Sequence, residues 1–196
     1  MLHNPRKVYA LGYLMAVLKR KNMSRDDDFE ILRQLGEDGA QGVVSLVEFP
    51  NGLRAAMKQF KANKSSARIQ IEADFQARAA AENIAPDVMH VDLDKKRIFS
   101  EVLPARVIDV ATPQDSRQLS GDLQHVMATL DRVGILHNDG NVRNLMLDDD
   151  DRLYIIDFGL AKEITPTVRK KWKGAPNINV TLRMLRNGLK KYKLNV

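Results

Sequence analysis

The residues best suited to chemistry lie in two short segments, His137-Asn138-Asp139-Gly140-Asn141-Val142-Arg143-Asn144 and Ile155-Ile156-Asp157-Phe158-Gly159. Two carboxylates and a carboxamide stand in a fixed order across them, with ten residues between Asn144 and the first of the isoleucines. Oxygen donors of this kind suit Mg²⁺, a hard cation. A carboxylate five residues before the first segment's end suits a different task, facing a hydroxyl that must lose its proton. Together these are the needs of phosphoryl transfer from a nucleotide: metal to neutralise phosphate charge, and a group to orient the attacking oxygen. Asp139 would face the hydroxyl, while Asn144 and Asp157 would supply metal ligands. Asp-x-Gly alone is common in turns; it is the pair of segments that carries information.

These side chains need a scaffold that brings them to one edge. Leu145–Leu147 and Leu153–Ile156 read as two short strands about the acidic turn 148–151, so a hairpin would carry both ligands to the same side. Before it, Asp115 to Val133 has helical periodicity through Leu119, Leu123, Val126, Met127 and Leu130 and stops at Gly134. Further upstream, Phe29–Leu35, Val43–Phe49 and Arg54–Phe60 read as strands. The last two are joined by Asn51-Gly52, a hairpin signal in which both turn positions take positive φ. A helix is expected from Ser65 or Ser66 to about Glu82, with Ile71, Phe75 and Ala79 on its inward face. Val88–Val91 and Arg97–Val102 form a further strand pair, and Leu103-Pro104-Ala105 breaks the pattern as a hinge. The tail is helical by pattern, chiefly over 179–193.

In this order the chain resembles the eukaryotic protein-kinase superfamily, as a minimal member, over roughly residues 29 to 165. The segments around Asp139 and Asp157 are similar to its catalytic loop and Asp-Phe-Gly segment. Gly36, Gly39 and Gly42 resemble its glycine-rich loop, with one extra residue between the first two. Ala56-Met57-Lys58 resembles the strand whose lysine reaches the α- and β-phosphates. The resemblance implies an α+β, bilobal kinase-like fold: a five-stranded N-lobe sheet and a truncated, mostly helical C-lobe. Residues 1–24 would be a helical extension, 25–102 the N-lobe, 103–105 the hinge and 106–196 the C-lobe. It further implies Asp139 as catalytic base and Asn144 and Asp157 as Mg²⁺ ligands. Arg143 would be a cation near the γ-phosphate, and Lys58 would pair with Glu72, or else with Glu82. ATP would lie against the three glycines with Val44, Ala56, Lys58, Glu101 and Leu103.

Departures from that pattern have consequences. Asn138 stands where the family commonly has arginine, and cannot pair with a phosphorylated activation loop; activity without such phosphorylation is expected. Asn141 stands where serine/threonine kinases carry lysine, while Arg143 resembles the tyrosine-kinase arrangement, so hydroxyl specificity stays open with serine/threonine favoured. Only 37 residues follow Gly159, without a recognisable peptide platform; 162–174 would replace the activation segment, with Thr165 and Thr167 as candidate autophosphorylation sites. Such brevity resembles bacterial effector or viral kinases, and an effector acting on a host protein is one expectation.

Composition narrows the alternatives. The chain has 196 residues, no cysteine, 31 Lys+Arg and 25 Asp+Glu. Disulfides, zinc–thiolate sites and thiol nucleophiles are excluded, which fits a cytoplasmic protein or one exported without oxidation. The apolar run Val8–Leu18 is too short to span a bilayer, which takes about 20 residues, and reads as an amphipathic helix. The excess of positive charge crowds the C-terminus, but without an aromatic-rich basic strand a nucleic-acid partner is not expected. A monomer acting on a protein substrate is expected. Two rivals stand beside it: a small-molecule kinase of the aminoglycoside or choline type, and a kinase-shaped binding module that transfers little or nothing.

Overall fold

The computed structural model describes residues 28–196; the expected helix within Val8–Leu18, and the 1–24 extension with it, lie outside the described residues. The chain divides into two compact units. One holds described residues 28–66 with Asp87–Val102, and the other holds Ala67–Pro86 with Leu103–Val196.

The first unit is a five-stranded antiparallel sheet in the order β1-β2-β3-β5-β4. Its strands are β1 (Glu30–Gln34), β2 (Gly42–Glu48), β3 (Arg54–Phe60), β4 (Val88–Asp92) and β5 (Arg97–Ser100). Alternation decides its faces. Ala55 and Met57 of β3 are buried with Val47 and Phe49 and with Phe99 of β5. Phe29 closes this core edge-on, 5.8 Å from the Phe49 ring and 5.7 Å from Phe99. The opposite face of β3 therefore carries Ala56, Lys58 and Phe60. Strand β1, at the sheet's edge, is exposed along its whole length.

The β2–β3 turn differs from expectation. Only Gly52 has positive φ, at 78°. The amide of Gly52 donates to the Phe49 carbonyl (2.8 Å) and that of Phe49 to Leu53 (2.9 Å), while Asn51 Oδ1 accepts from Leu53 N. Asn51 therefore serves through its side chain, stabilising a longer loop by an Asx turn rather than taking the left-handed conformation itself.

The second unit opens with α1 (Ser66–Ala80), whose first residue still belongs to the first unit. Its buried side is Ile69, Glu72, Ala73, Phe75, Gln76, Ala79 and Ala80. Ile71, expected inward, is instead 44 % exposed. The stripe starts at Ile69 and recurs at intervals of three and four, which turns 71 outward. Gln76 is tolerated inside because its amide donates to the Pro86 carbonyl at 2.9 Å. Arg78 ties the helix end down, donating to Val133 O at 2.7 Å and pairing with Glu163.

The remaining elements are β6 (Ala105–Arg106), α2 (Val107–Val110), α3 (Ser116–Val133), β7 (Ile135–Leu136), β8 (Leu145–Leu147), β9 (Leu153–Ile155), β10 (Lys162–Glu163), α4 (Pro166–Lys171) and α5 (Leu182–Leu189). Ala105, expected in a hinge, pairs with Leu147, so that β6, β8 and β9 make a small sheet. Strands β7 and β10 pair separately. Helix α3 is the hub: Leu119, Leu123, Val126, Met127 and Leu130 are buried together with Leu145, Ile155, Leu182, Leu185 and Leu189. It ends at Gly134, whose φ of 81° lets its amide return to the Leu130 carbonyl, a left-handed cap that glycine adopts without steric cost. A residue so enclosed as Leu123, fully buried, sets the first expectation: Leu123→Ala should lower unfolding free energy by about 2–5 kcal/mol, read from the urea midpoint.

Candidate functional site

The two units each hold part of the expected site. In the first, cross-strand register pairs Val44 with Lys58 and Leu46 with Ala56, and Lys58 with Ile98. Period-two alternation then places Val44, Ala56 and Lys58 on one face of the sheet, opposite the aromatic core. Lys58 Nζ stands 5.1 Å from the centre of the Phe60 ring. The glycine loop precedes this face. Gly36 has φ 93°, and Gly39 N donates to Gly42 O at 3.0 Å. Gln34 Nε2 braces the loop from within, donating to Gly36 O and to Asp38 Oδ1, both at 2.9 Å. At Gly42 a Cβ would stand 2.2 Å from the Gln59 carbonyl oxygen, so only glycine lets β2 and β3 meet there. Glu101, at the end of this unit, donates its amide to Asp87 O.

In the second unit Glu72 lies on the buried side of α1, 3 % exposed. The alternative partner for Lys58, Glu82, is committed elsewhere: it accepts from Arg132 Nη2 at 2.7 Å. That hydrogen bond holds its carboxyl below the usual range. Leu103 belongs to this unit as well.

The catalytic-loop candidates are brought together here. Asn144 Nδ2 donates to Asp139 Oδ2 at 2.9 Å, and Asn141 N donates to Asp139 Oδ1 at 3.0 Å. Asn141 Oδ1 in turn accepts from Arg143 N, capping the single 3₁₀ turn 142–144 that exposes Arg143 and buries Asn144. With its nitrogen spent on Asp139, the Asn144 amide leaves Oδ1 for a cation. The Ile156 amide donates to the Asn144 carbonyl at 2.9 Å, which fixes Asp157 one residue beyond. Asp157 is left-handed (φ 64°, ψ 75°) and accepts from Gly159 N at 3.4 Å. Among the described residues no group of three His, Asp or Glu side chains is arranged to hold a metal. The oxygen set here, Asp157 and Asn144 with Asp139 beside them, fits Mg²⁺, which commonly takes one or two carboxylates and fills its shell with phosphate and water.

His137 holds both segments at once. It is fully buried; Nδ1 lies 3.2 Å from the Asp139 carbonyl and Nε2 3.1 Å from that of Ile156. Its ring meets Phe158 edge-on at 5.0 Å. A neutral imidazole carries one N–H and so donates to one of these carbonyls while lying against the other; the two carbonyls adjoin the left-handed residues Asn138 (φ 63°) and Asp157. The buried ring thus packs beside two backbone conformations that non-glycine residues rarely adopt. Burial pushes the His137 pKa below its ordinary 6.5, against the opposing pull of the Ile156 carbonyl and of Asp139.

Three positioning contacts were not anticipated. Asp131, on the buried side of α3, takes two hydrogen bonds at Oδ1 from Asn177, through its amide N and Nδ2, both 2.8 Å. Its Oδ2 accepts from Ile178 N. Asn177 also donates to Ile135 O (2.7 Å) and accepts the His137 amide proton (3.0 Å). Burial raises the Asp131 pKa in spite of these donors. Farther along, a Cβ on Gly140 would stand 2.3 Å from Met184 Cβ, and one on Gly188 2.6 Å from Val142 Cγ1. Residues 177, 184 and 188 therefore meet 137, 140 and 142 in sequence. A carboxylate four residues after buried Met127 was the available signal for the first contact; nothing local signalled the others.

The pattern of the phosphotransferase enzyme family matches residues 20–168, three quarters of the chain. The chain belongs to this family. Membership implies ATP as phosphoryl donor and a divalent metal beside it. The phosphotransferase is also 36 % identical over 75 residues to the hormonally up-regulated neu tumor-associated kinase of Mus musculus. That alignment covers 38 % of the chain and 9 % of the mouse protein, so the chain spans a small part of the curated relative it matches. Among the described residues no helix is long and apolar enough to cross a membrane.

Two outcomes are expected. Asn177→Ala strands the His137 amide and the Ile135 carbonyl, each costing about 1–3 kcal/mol. Stability in urea should fall accordingly, and kcat should drop with the KM for ATP nearly unchanged. For His137, the unfolded chain binds its proton near pH 6.5 and the native chain only at lower pH. Stability from this group is present above that value and declines as pH falls below it. The thermal midpoint should therefore drop between pH 7.5 and 5.5 in the native protein, and by less in His137→Gln.

Proposed function

We propose that this phosphotransferase is an ATP-dependent protein kinase, acting on serine or threonine hydroxyls and needing no activation-loop phosphorylation. The observation that carries the proposal is the Asp139 carboxylate, oriented by the Asn144 amide and the Asn141 N–H. It stands in a loop whose buried histidine also lies against the segment bearing Asp157.

In this proposal ATP lies on the face of Val44, Ala56 and Lys58, with the loop of Gly36, Gly39 and Gly42 over its phosphates and Glu101 and Leu103 toward its base. Lys58 neutralises the α- and β-phosphates. Bound at Asp157 and Asn144, Mg²⁺ would offset charge on the phosphates. Asp139 orients the acceptor hydroxyl and takes its proton while that oxygen attacks the γ-phosphorus and the bond to ADP breaks; a positioned base typically contributes about 10²–10⁴-fold. Arg143, exposed four residues after Asp139, offers positive charge to the transferring group. A protein acceptor is supported by Phe158-Gly159 directly after Asp157, with Phe158 buried against His137, and by the partial likeness to a kinase. Insensitivity to phosphatase is supported by Asn138, whose amide donates to Leu160 O at 3.4 Å and which carries no charge for a phosphate. A small-molecule acceptor is the second reading, favoured by the family whose pattern matches.

Labelled-phosphate transfer from Mg·ATP distinguishes them, with protein acceptors and aminoglycosides offered in parallel. Asp139→Asn and Asp157→Ala should each lower protein phosphorylation by about 10²-fold or more, and phosphatase pretreatment should leave the native rate unchanged. Transfer to the small acceptors alone would reverse the assignment.

A further inference from the structure

The distribution of charge in the second unit is uneven. Residues 162–196 hold ten of the chain's 31 lysines and arginines but one of its 25 carboxylates, Glu163, leaving 21 cations against 24 acids elsewhere. The whole positive excess therefore sits in the last 35 residues. Glu163 is already paired with Arg78.

Part of this charge is ordered relative to Asp139. The buried side of α5 is Leu182, Leu185 and Leu189. Its outward side, continued through the 3₁₀ turn Lys190–Tyr192, bears Arg183, Met184, Asn187, Lys190 and Lys191, all exposed. The ridge begins beside the site, because Met184 lies against Gly140, next to Asp139. Preceding Asp139 in the chain, the Asn138 amide donates to the Leu160 carbonyl. Leu160 and Met184 are each 49 % exposed. The loop of Asp139 thus meets two half-bare apolar residues, Met184, which starts a cationic row, and Leu160 through its backbone.

Resting on the reading of Asp139 as the group that receives the acceptor hydroxyl, we infer that the acceptor is an acidic protein segment. An apolar neighbour of its hydroxyl residue packs on Met184 and Leu160, and its carboxylates run along Arg183, Lys190 and Lys191. From Arg183 to Lys191 the helical rise is about 12 Å, which an extended chain covers in about four residues. The acidic positions therefore lie within about four residues of the hydroxyl. A polynucleotide is the weaker fit: aliphatic flanks offer no face on which bases stack, whereas they match the side chains of a peptide. Opposite charge across such a rim acts on encounter and substrate affinity more than on the chemical step.

The test uses the full chain and serine peptides carrying an apolar residue beside the serine, with Asp/Glu or isosteric Asn/Gln at the next four positions. The acidic peptides are expected to have a kcat/KM about tenfold or more above the amides, mainly through KM and shrinking as salt rises. The triple reversal Arg183→Glu, Lys190→Glu, Lys191→Glu should remove that preference while ATP hydrolysis without acceptor stays at the native rate. Equal use of acidic and amide peptides would overturn the inference and leave the protein-kinase assignment standing. Transfer to aminoglycosides with no peptide labelled would overturn both. A 20-nucleotide RNA that binds through the same three cations, while peptide kinetics ignore their reversal, would assign the ridge to nucleic acid instead.

Discussion

A carboxylate carried into a helix's buried face must be met by donors, and in the second unit Asp131 is met by Asn177. That single demand fixes where the chain beyond α4 can lie. Once Asn177 is seated, its remaining acceptor takes the His137 amide and its remaining donor takes the Ile135 carbonyl. The relay is fully occupied, which is the condition under which a buried polar network specifies one arrangement instead of merely costing desolvation. His137, positioned by it, packs against the backbone on both sides of the site. Asp139 and Asp157 stand at the end of a chain of constraints that starts on α3.

This arrangement separates two kinds of group. Asp131 and His137 are withdrawn from water, and burial biases each toward its neutral form, raising one pKa and lowering the other. Asp139 and Asp157 remain half exposed, beside amide donors. Desolvation thus perturbs the two groups that sit inside, while the two carboxylates nearer the surface keep access to solvent.

Most of the scaffold was legible because its signals are local. Strand alternation placed β2 and β3, the heptad-like stripe placed α3, and β8 was placed to the residue. Ile71 was misplaced because a helix's inward face depends on where its stripe begins, and Ile69 begins this one. Asn51-Gly52 marked a turn correctly but not its type, since Asn51 acts through its side chain. In the site, Asp139, Asn144 and Asp157 could be picked out by order and residue type, and the structure joins Asp139 to Asn144 directly. The support beneath them was not legible. Asn177, Met184 and Gly188 are 35 or more residues from the loop they touch, and no local pattern announces a contact at that separation. Lys58 and the glycine loop take their places on the first unit's sheet, where register alone gathers them.

The contacts of residues 177, 184 and 188 with the loop at 137–142 have a temporal side. A protein is made from its N-terminus, and the segments carrying Asp139 and Asp157 are synthesised well before the helix that braces them. Until residue 177 has been added the histidine amide lacks its acceptor, and until residue 188 the loop lacks its backing. The nascent chain therefore carries Asp139 and Asp157 before it holds them in place. A chain cut short of these residues would bear the motif without the contacts that brace it.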